Sequence, residues 1–324
     1  MASQIPHHTV SAVILAWNRK PFVKIVLDQL AQLPVDEVVV VDHGDDGTSE
    51  MVETRGGNVR AIHVGTNLGI AGRNLGAREA SGDLLVMLDD DAYPLPGAIE
   101  KLIETFDAHP RTAILGGLVQ ELDTEGNVFR RDEPGTFDWF LRAGEPGPTP
   151  EGGFPSFYFP EGACMARREA FLEVGGYFEP FFSDTTELEL TTRLLDAGWD
   201  VRYLPEAVFN HMRTESGLST SLELEFRVRN QFWYFWMYFP QPLAAWRMFT
   251  YAFFEFFDCV GRGAPRSWFN AVAGAWRERD VVRPHRRTLS HEVLRRAELN
   301  RTRMQWKLLI ARFKKIPAKL RGRA

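Results

Sequence analysis

The run from Val10 to Ala16 is almost continuously apolar, the pattern of a strand buried on both faces. Asn18 and Pro21 then mark the opening of a helix, with Val23, Val26, Leu27, Leu30 and Leu33 recurring on one face. Similar apolar runs predict strands at Glu37 to Val41, Val59 to Val64, Leu84 to Leu88 and Ala113 to Val119. Helical spacing falls between them, at Ala71 to Ala80 and from about Pro96 to Ala108. Strands alternating with helices predict an α/β fold with a mostly parallel central sheet covered by helices.

The texture changes twice further on. Residues 132 to 160 are rich in glycine and carry Pro134, Pro146, Pro148, Pro150 and Pro155, so a long functional loop is expected there. Ser156 to Met165 reads as strand, and Val201 to Leu204 with Ala207 to Asn210 reads as a hairpin. After Ser221 the pattern is helical only. The expected division is a domain over 1–221, with halves at about 1–120 and 121–221, and a helical extension over 222–324. The extension holds the aromatic run Phe232 to Phe239 and the stretch Leu243 to Phe257. Neither is long enough and free enough of charge and proline to cross a membrane.

Composition adds little to the fold and more to the setting. The chain has 324 residues, 44% hydrophobic and 25% charged, which excludes a disordered or fibrous protein. Two distant cysteines, Cys164 and Cys259, make no disulfide framework or zinc spacing, so a reducing, cytoplasmic setting is expected. The opening residues show no signal-peptide pattern. Charge is uneven: eleven Lys or Arg against two Glu lie between His291 and Ala324, in a chain of net charge −5. A basic tail on an acidic body predicts contact with an anionic surface, here the inner face of a membrane. A nucleic-acid footprint is not expected, because the basic residues do not extend over the body. An oligomer is compatible with the sequence.

Candidate chemistry gathers at strand ends. Leu84 to Leu88 runs into Asp89, Asp90 and Asp91, three acids whose repulsion calls for a cation. Hard oxygen donors at the carboxyl end of a parallel strand suit Mg²⁺ or Mn²⁺ bridging to phosphates. Asp42 ends the preceding strand in the same way and leads into His43-Gly-Asp-Asp-Gly-Thr48, which is also plain turn chemistry. Gly69, Gly72, Arg73, Asn74 and Gly76 form a glycine-rich helix start suited to an anion, without the pattern of a Walker or dinucleotide loop. Asp184 and Glu187 have capping-box spacing at a helix start, and a carboxylate there also suits a general base. His211 closes a short strand and is a candidate metal ligand.

In order along the chain, Val13-Ile-Leu-Ala-Trp-Asn-Arg19, Val40-Val-Asp42, Asn67-Leu-Gly69 with Arg73-Asn74-Leu-Gly76, and Leu88-Asp-Asp-Asp91 are followed by four more landmarks. These are Gly162-Ala-Cys-Met-Ala-Arg-Arg168, Val174-Gly-Gly-Tyr177, Phe182 to Arg193, and Pro205-Glu-Ala to His211. Together they resemble a family-2 glycosyltransferase of the GT-A fold, over roughly Val10 to Pro240, and Arg229-Asn230 resembles the rhamnosyltransferase-type members. The resemblance implies an inverting transfer from a UDP- or dTDP-sugar to a hydroxyl of a glycan, lipid-linked glycan or cell-wall acceptor. A small metabolite acceptor, or an inactive membrane-bound scaffold, stands as the alternative. Asn18, Asp42, Gly69, Arg73, Asn74, Asp89 and Asp90 would hold the donor, and Asp91 and His211 a divalent metal. Glu187 would be the base, with Asp184 in reserve; the family's usual Glu-Asp pair is Thr186-Glu187 here. A sugar-1-phosphate nucleotidyltransferase would need a glycine-rich loop after the first strand, where Trp17-Asn-Arg-Lys-Pro21 stands.

Overall fold

The computed structural model describes residues 8–131, 148–212 and 218–297. The first half follows the hydrophobic pattern. Strands β1 (Val10–Ala16), β2 (Glu37–Asp42), β3 (Val59–His63) and β4 (Leu84–Asp89) lie parallel, in the order β3-β2-β1-β4. Helices α1 (Lys20–Leu30), α3 (Gly72–Glu79) and α4 (Ala98–Ala108) fall where the spacing predicts. Helix α2 (Thr48–Glu53) was not expected; Asp-Asp-Gly reads as a turn, and the side chains of Asp46 and Asp42, accepting from the Thr48 and Ser49 amides, secure the helix start.

Beyond β4 the sheet becomes mixed. It continues through β9 (Ala163–Arg167), β6 (Thr112–Leu122) and β10 (Asp200–Met212) to the short β5 (Ala92–Pro94). Strand β9 is antiparallel to both β4 and β6, while β6 and β10 are parallel. Apolar runs do not carry strand direction, so a mostly parallel sheet was the natural reading. The expected hairpin is corrected: Val201 to Asn210 is one strand, with a register shift between Leu204 and Val208 where Pro205 interrupts the ladder. Strand β7 (Val128–Arg131) extends the edge beside β6, and β8 (Phe154–Pro155) pairs with β10. In the expected loop, 132–147 lie outside the described residues. The part that follows is anchored by buried Phe154, Phe157 and Phe159, and the strand predicted from Ser156 begins only at Ala163.

Four further helices matter for the site: α5 (Arg168–Glu173), α6 (Thr186–Asp196), α7 (Thr220–Tyr238) and α8 (Leu243–Gly261). Helix α9 (Pro265–Arg277) and the short α10 (Arg279–Val282) follow, and 291–297 are helical; 298–324, the bulk of the basic tail, lie outside the described residues. The aromatic run of α7 is core. Trp233, Tyr234, Phe235 and Tyr238 are buried with Phe181 and with Leu195 of α6, so the C-terminal helices share one hydrophobic cluster with the helix and loop that cover this side of the sheet. An interfacial membrane role for these particular rings is therefore excluded.

One buried ion pair locks this junction. Glu189 of α6 is fully enclosed and accepts from Arg193 Nε at 2.8 Å, Arg193 Nη2 at 2.6 Å and the Tyr238 hydroxyl at 2.5 Å. Truncating one member of such a pair leaves the other charge buried and unpaired. Glu189→Ala is expected to lower stability by about 3–5 kcal/mol, read as a fall in the urea midpoint. A loss under about 1 kcal/mol, the worth of an ordinary exposed pair, would show that the pair does not hold the junction.

Candidate active site

Three chain segments converge at the carboxyl ends of β1 and β4. After β1, Asn18 takes a positive φ of 56° and its Oδ1 accepts from the Asp45 amide at 2.9 Å. Arg19 Nη1 donates to Asp90 Oδ1 at 3.1 Å and to Asp91 Oδ2 at 2.7 Å. Asp90 also accepts from the Trp17 amide, at 3.2 Å. Burial and the neighbouring Asp91 push the Asp90 carboxyl up to about 7.

The third segment is the end of β10. Strand β5 follows directly on Asp91 and pairs antiparallel with β10, setting His211 opposite Ala92. His211 Nε2 thereby comes within 3.2 Å of Asp91 Oδ1, and this contact raises the imidazole's pKa above its ordinary value. Asp89, Asp91 and His211 each offer a ligand atom, all within 4.8 Å of one another. Two carboxylates and an imidazole suit Mn²⁺ or Mg²⁺. Arg19 engages one oxygen of Asp91 and His211 faces the other, so three acids meet two fixed cations, Arg19 and Arg73, leaving room for further positive charge.

The remaining predicted donor residues act mostly from behind. Arg73 is fully buried; its Nη2 donates to the Leu88 carbonyl at 3.2 Å and to Asp89 Oδ1 at 2.5 Å. It braces Asp89 without lining the cleft. Asn74 is equally enclosed, accepting from the Tyr177 amide at 2.7 Å and donating to the Tyr177 carbonyl at 2.8 Å. Asp42 accepts from the Gly44 amide at 3.0 Å, the Ser49 amide at 3.0 Å and the Ser49 hydroxyl at 2.6 Å, which fixes the turn and starts α2. Gly69 does line the cleft. Its φ is +61°, and a Cβ there would stand 2.1 Å from the Phe182 carbonyl oxygen. Gly162 is needed for a similar reason, since its Cβ would fall 2.0 Å from Asp89 Oδ2.

Helix α6 begins without the expected capping box. Its N-cap is Thr185, in the left-handed region and with no side-chain cap bond, and Asp184 bonds instead to the Thr185 hydroxyl at 3.0 Å. Asp184 and Thr185 have φ of 64° and 65°, a strained pair that must be held from outside. Buried Asn230 of α7 does so, donating to the Ser183 carbonyl at 2.7 Å and the Asp184 carbonyl at 3.0 Å. Glu187 thus takes no part in a capping box, its carboxylate reaching no backbone amide but its own. It accepts from the Thr186 hydroxyl at 3.2 Å and bonds the Tyr158 hydroxyl. Burial pushes the Glu187 carboxyl up to about 7 and the Asp184 carboxyl to about 6.

Sequence reasoning missed four residues here. Glu161 accepts from the Thr186 hydroxyl at 2.9 Å, and burial beside Glu187 raises its pKa well above the usual range. Arg19 stood only inside the first landmark and Tyr158 only inside the stretch read as strand, neither with a role of its own. His43 was read as a turn residue, yet it lines the cleft as an imidazole whose pKa burial lowers, with Nε2 unpartnered among the described residues. The only signal for Glu161 was an acid between Pro160 and Gly162, next to a landmark already noted.

Two cavities open on these groups. A cleft of about 690 Å³ runs past Trp17, Asn18, His43, Gly69, Asp91 and Ser183. A smaller pocket of about 200 Å³ is lined by Tyr158, Glu161 and Glu187. Asp89 and His211 line both.

A nucleotide-sized cleft at strand ends, acids that can gather a metal, and a second pocket holding a carboxylate define a glycosyltransferase of the GT-A fold. The chain belongs to glycosyl transferase family 2, whose sequence profile matches residues 11–175. A Mycobacterium tuberculosis N-acetylglucosaminyl-diphospho-decaprenol L-rhamnosyltransferase is 29% identical over 208 residues, covering 55% of this chain and 67% of that protein. The fold matches a Pyrobaculum calidifontis mannosyltransferase solved with GDP-Man and Mn²⁺, at TM-score 0.53 and 16% identity over 85% of this chain and 77% of that one. It also matches GalNAc-T7 solved with UDP, GalNAc and Mn²⁺, at TM-score 0.54 and 17% identity over 69% of this chain. The match spans 47% of the GalNAc-T7 chain.

Proposed function

We propose that this chain is an inverting transferase that moves a sugar from a UDP- or dTDP-sugar to a hydroxyl of a lipid-linked glycan. The observation that carries the reading is the junction at Asp89 and His211, which line the larger cleft and the Glu187 pocket together. The UDP and GDP-Man bound to the two fold neighbours support a nucleotide-linked donor, and the mycobacterial relative supports a lipid-linked acceptor. The donor belongs to the half within 1–120: Asn18, Gly69, Asp89 and Asp90 shape its subsite, with Asp42, Arg73 and Asn74 bracing it from behind. The acceptor belongs to 121–221.

Asp89, Asp91 and His211 would hold a divalent metal, which supplies charge neutralisation for a departing nucleoside diphosphate. The protein's own work is proton transfer and positioning. Glu187, ionised, takes the acceptor hydroxyl's proton as that oxygen forms its bond to the anomeric carbon. Tyr158 and Thr186 aim the carboxylate through their hydroxyls. Displacement with the base opposite the leaving group inverts the anomeric centre.

Hydrolysis and transfer should be screened across UDP-, dTDP- and GDP-sugars with Mn²⁺ and with Mg²⁺. One donor class should turn over and its nucleoside diphosphate should inhibit competitively. Turnover confined to GDP-sugars would overturn the pyrimidine assignment, and absence of binding to any of them would overturn the transferase reading.

A further inference from the structure

The last helices present an apolar surface that the core does not use. On α8, Trp246, Phe249, Phe253, Phe257 and Val260 recur at intervals of three and four, a single stripe, and all are exposed. The rings run on across the helix boundary: Phe257 touches Phe256 at 5.5 Å between centroids, and Phe256 touches Phe269 of α9 at 6.2 Å. Phe269 and Trp276 continue the stripe along α9, and both are more than half exposed. A contiguous patch of this kind marks an interaction site.

The charges around it select the partner. The two acids of α8, Glu255 and Asp258, turn inward and pair with Arg227 of α7 at 2.6 and 2.7 Å. Helix α9 carries no acid, and Arg266 and Arg277 stand near its two ends. A face of Trp and Phe bordered by arginine, whose neighbouring acids are held by partners (Glu225 by Asn270 at 2.9 Å, Glu278 by Arg229 at 3.3 Å), matches an anionic bilayer interface, where rings bury at headgroup depth and cations meet lipid phosphates. No helix among the described residues is long and apolar enough to cross the bilayer.

We propose that the outer faces of α8 and α9 dock this protein flat on an anionic membrane surface. The surface extends the functional reading without resting on it, since docking holds whichever acceptor is used.

The test uses the full chain with vesicles of phosphatidylcholine, with and without phosphatidylglycerol. Binding should require the anionic lipid and weaken with salt. Brominated lipids should quench tryptophan fluorescence in the unaltered protein, a readout that needs no variant. Losing two inserted rings, Phe249→Ser with Phe257→Ser, should raise the lipid concentration for half-binding by at least about tenfold. Nucleotide binding in solution should not change, which separates failure here from failure of the transferase reading. No binding at low salt, or equal binding by the double variant, overturns the proposal. So does a solution dimer that the double variant dissociates, because a second copy would then cover the face.

Discussion

Asp91→Ala should reduce transfer by about 10³-fold or more, and EDTA should do the same to the unaltered enzyme. The argument begins with electrostatics. Asp89, Asp90 and Asp91 stand together at one strand end, two of them buried, and Arg19 and Arg73 offset only part of their charge. A diphosphate leaving group would add more negative charge to the same place, which favours a further cation there. Asp91 is the hinge of that set because it faces both Arg19 and His211. Asp91→Asn keeps the volume and offers a control for packing: it should retain the thermal midpoint and still lose activity. Full turnover in EDTA would remove the metal from the mechanism.

Glu187→Gln is expected to lower kcat by about 10²–10⁴-fold while donor affinity stays the same. The structure sharpens this test. Gln could have replaced Glu in a capping box, but the helix start uses no such box, so a loss cannot be assigned to capping. A base works only when ionised. With the Glu187 carboxyl pushed up to about 7 by burial, the rate should climb as pH rises through that value and level off above it. The Gln variant's residual rate should lack this limb. Near-normal turnover by Glu187→Gln would pass the role to Asp184, whose carboxyl, at about 6, predicts a limb about one unit lower.

Much of this was readable from residue order. The apolar runs that end in Asp42 and Asp89 located β2 and β4 and the acids at their carboxyl ends, because burial on both faces of a sheet leaves an unbroken apolar run and an acid ends it abruptly. The start of α6 was legible from the spacing of Asp184 and Glu187, although the box they suggested does not form. The aromatic density after Phe232 was visible too. Which rings were core and which faced outward was not, because the run Phe232 to Tyr238 is apolar on every face and only its neighbours decide.

The reach of individual side chains was likewise a tertiary matter. Arg73 and Asn74 sit in a motif that suggests ligand contact, yet their partners are Asp89 and Tyr177, the latter 103 positions away. Glu161 and Tyr158 meet Glu187 only because β9 inserts antiparallel between β4 and β6 and brings the segment before it under the start of α6. Asn230 holds the strained Asp184–Thr185 backbone from a helix beyond the matched part of the chain. The sequence by itself determined the elements and the acids at their ends, since these follow from local periodicity and burial. Strand direction, the pairing of His211 with Asp91 and the shared wall between the two cavities were decided by packing, because contacts across such chain separations leave no periodic trace in residue order.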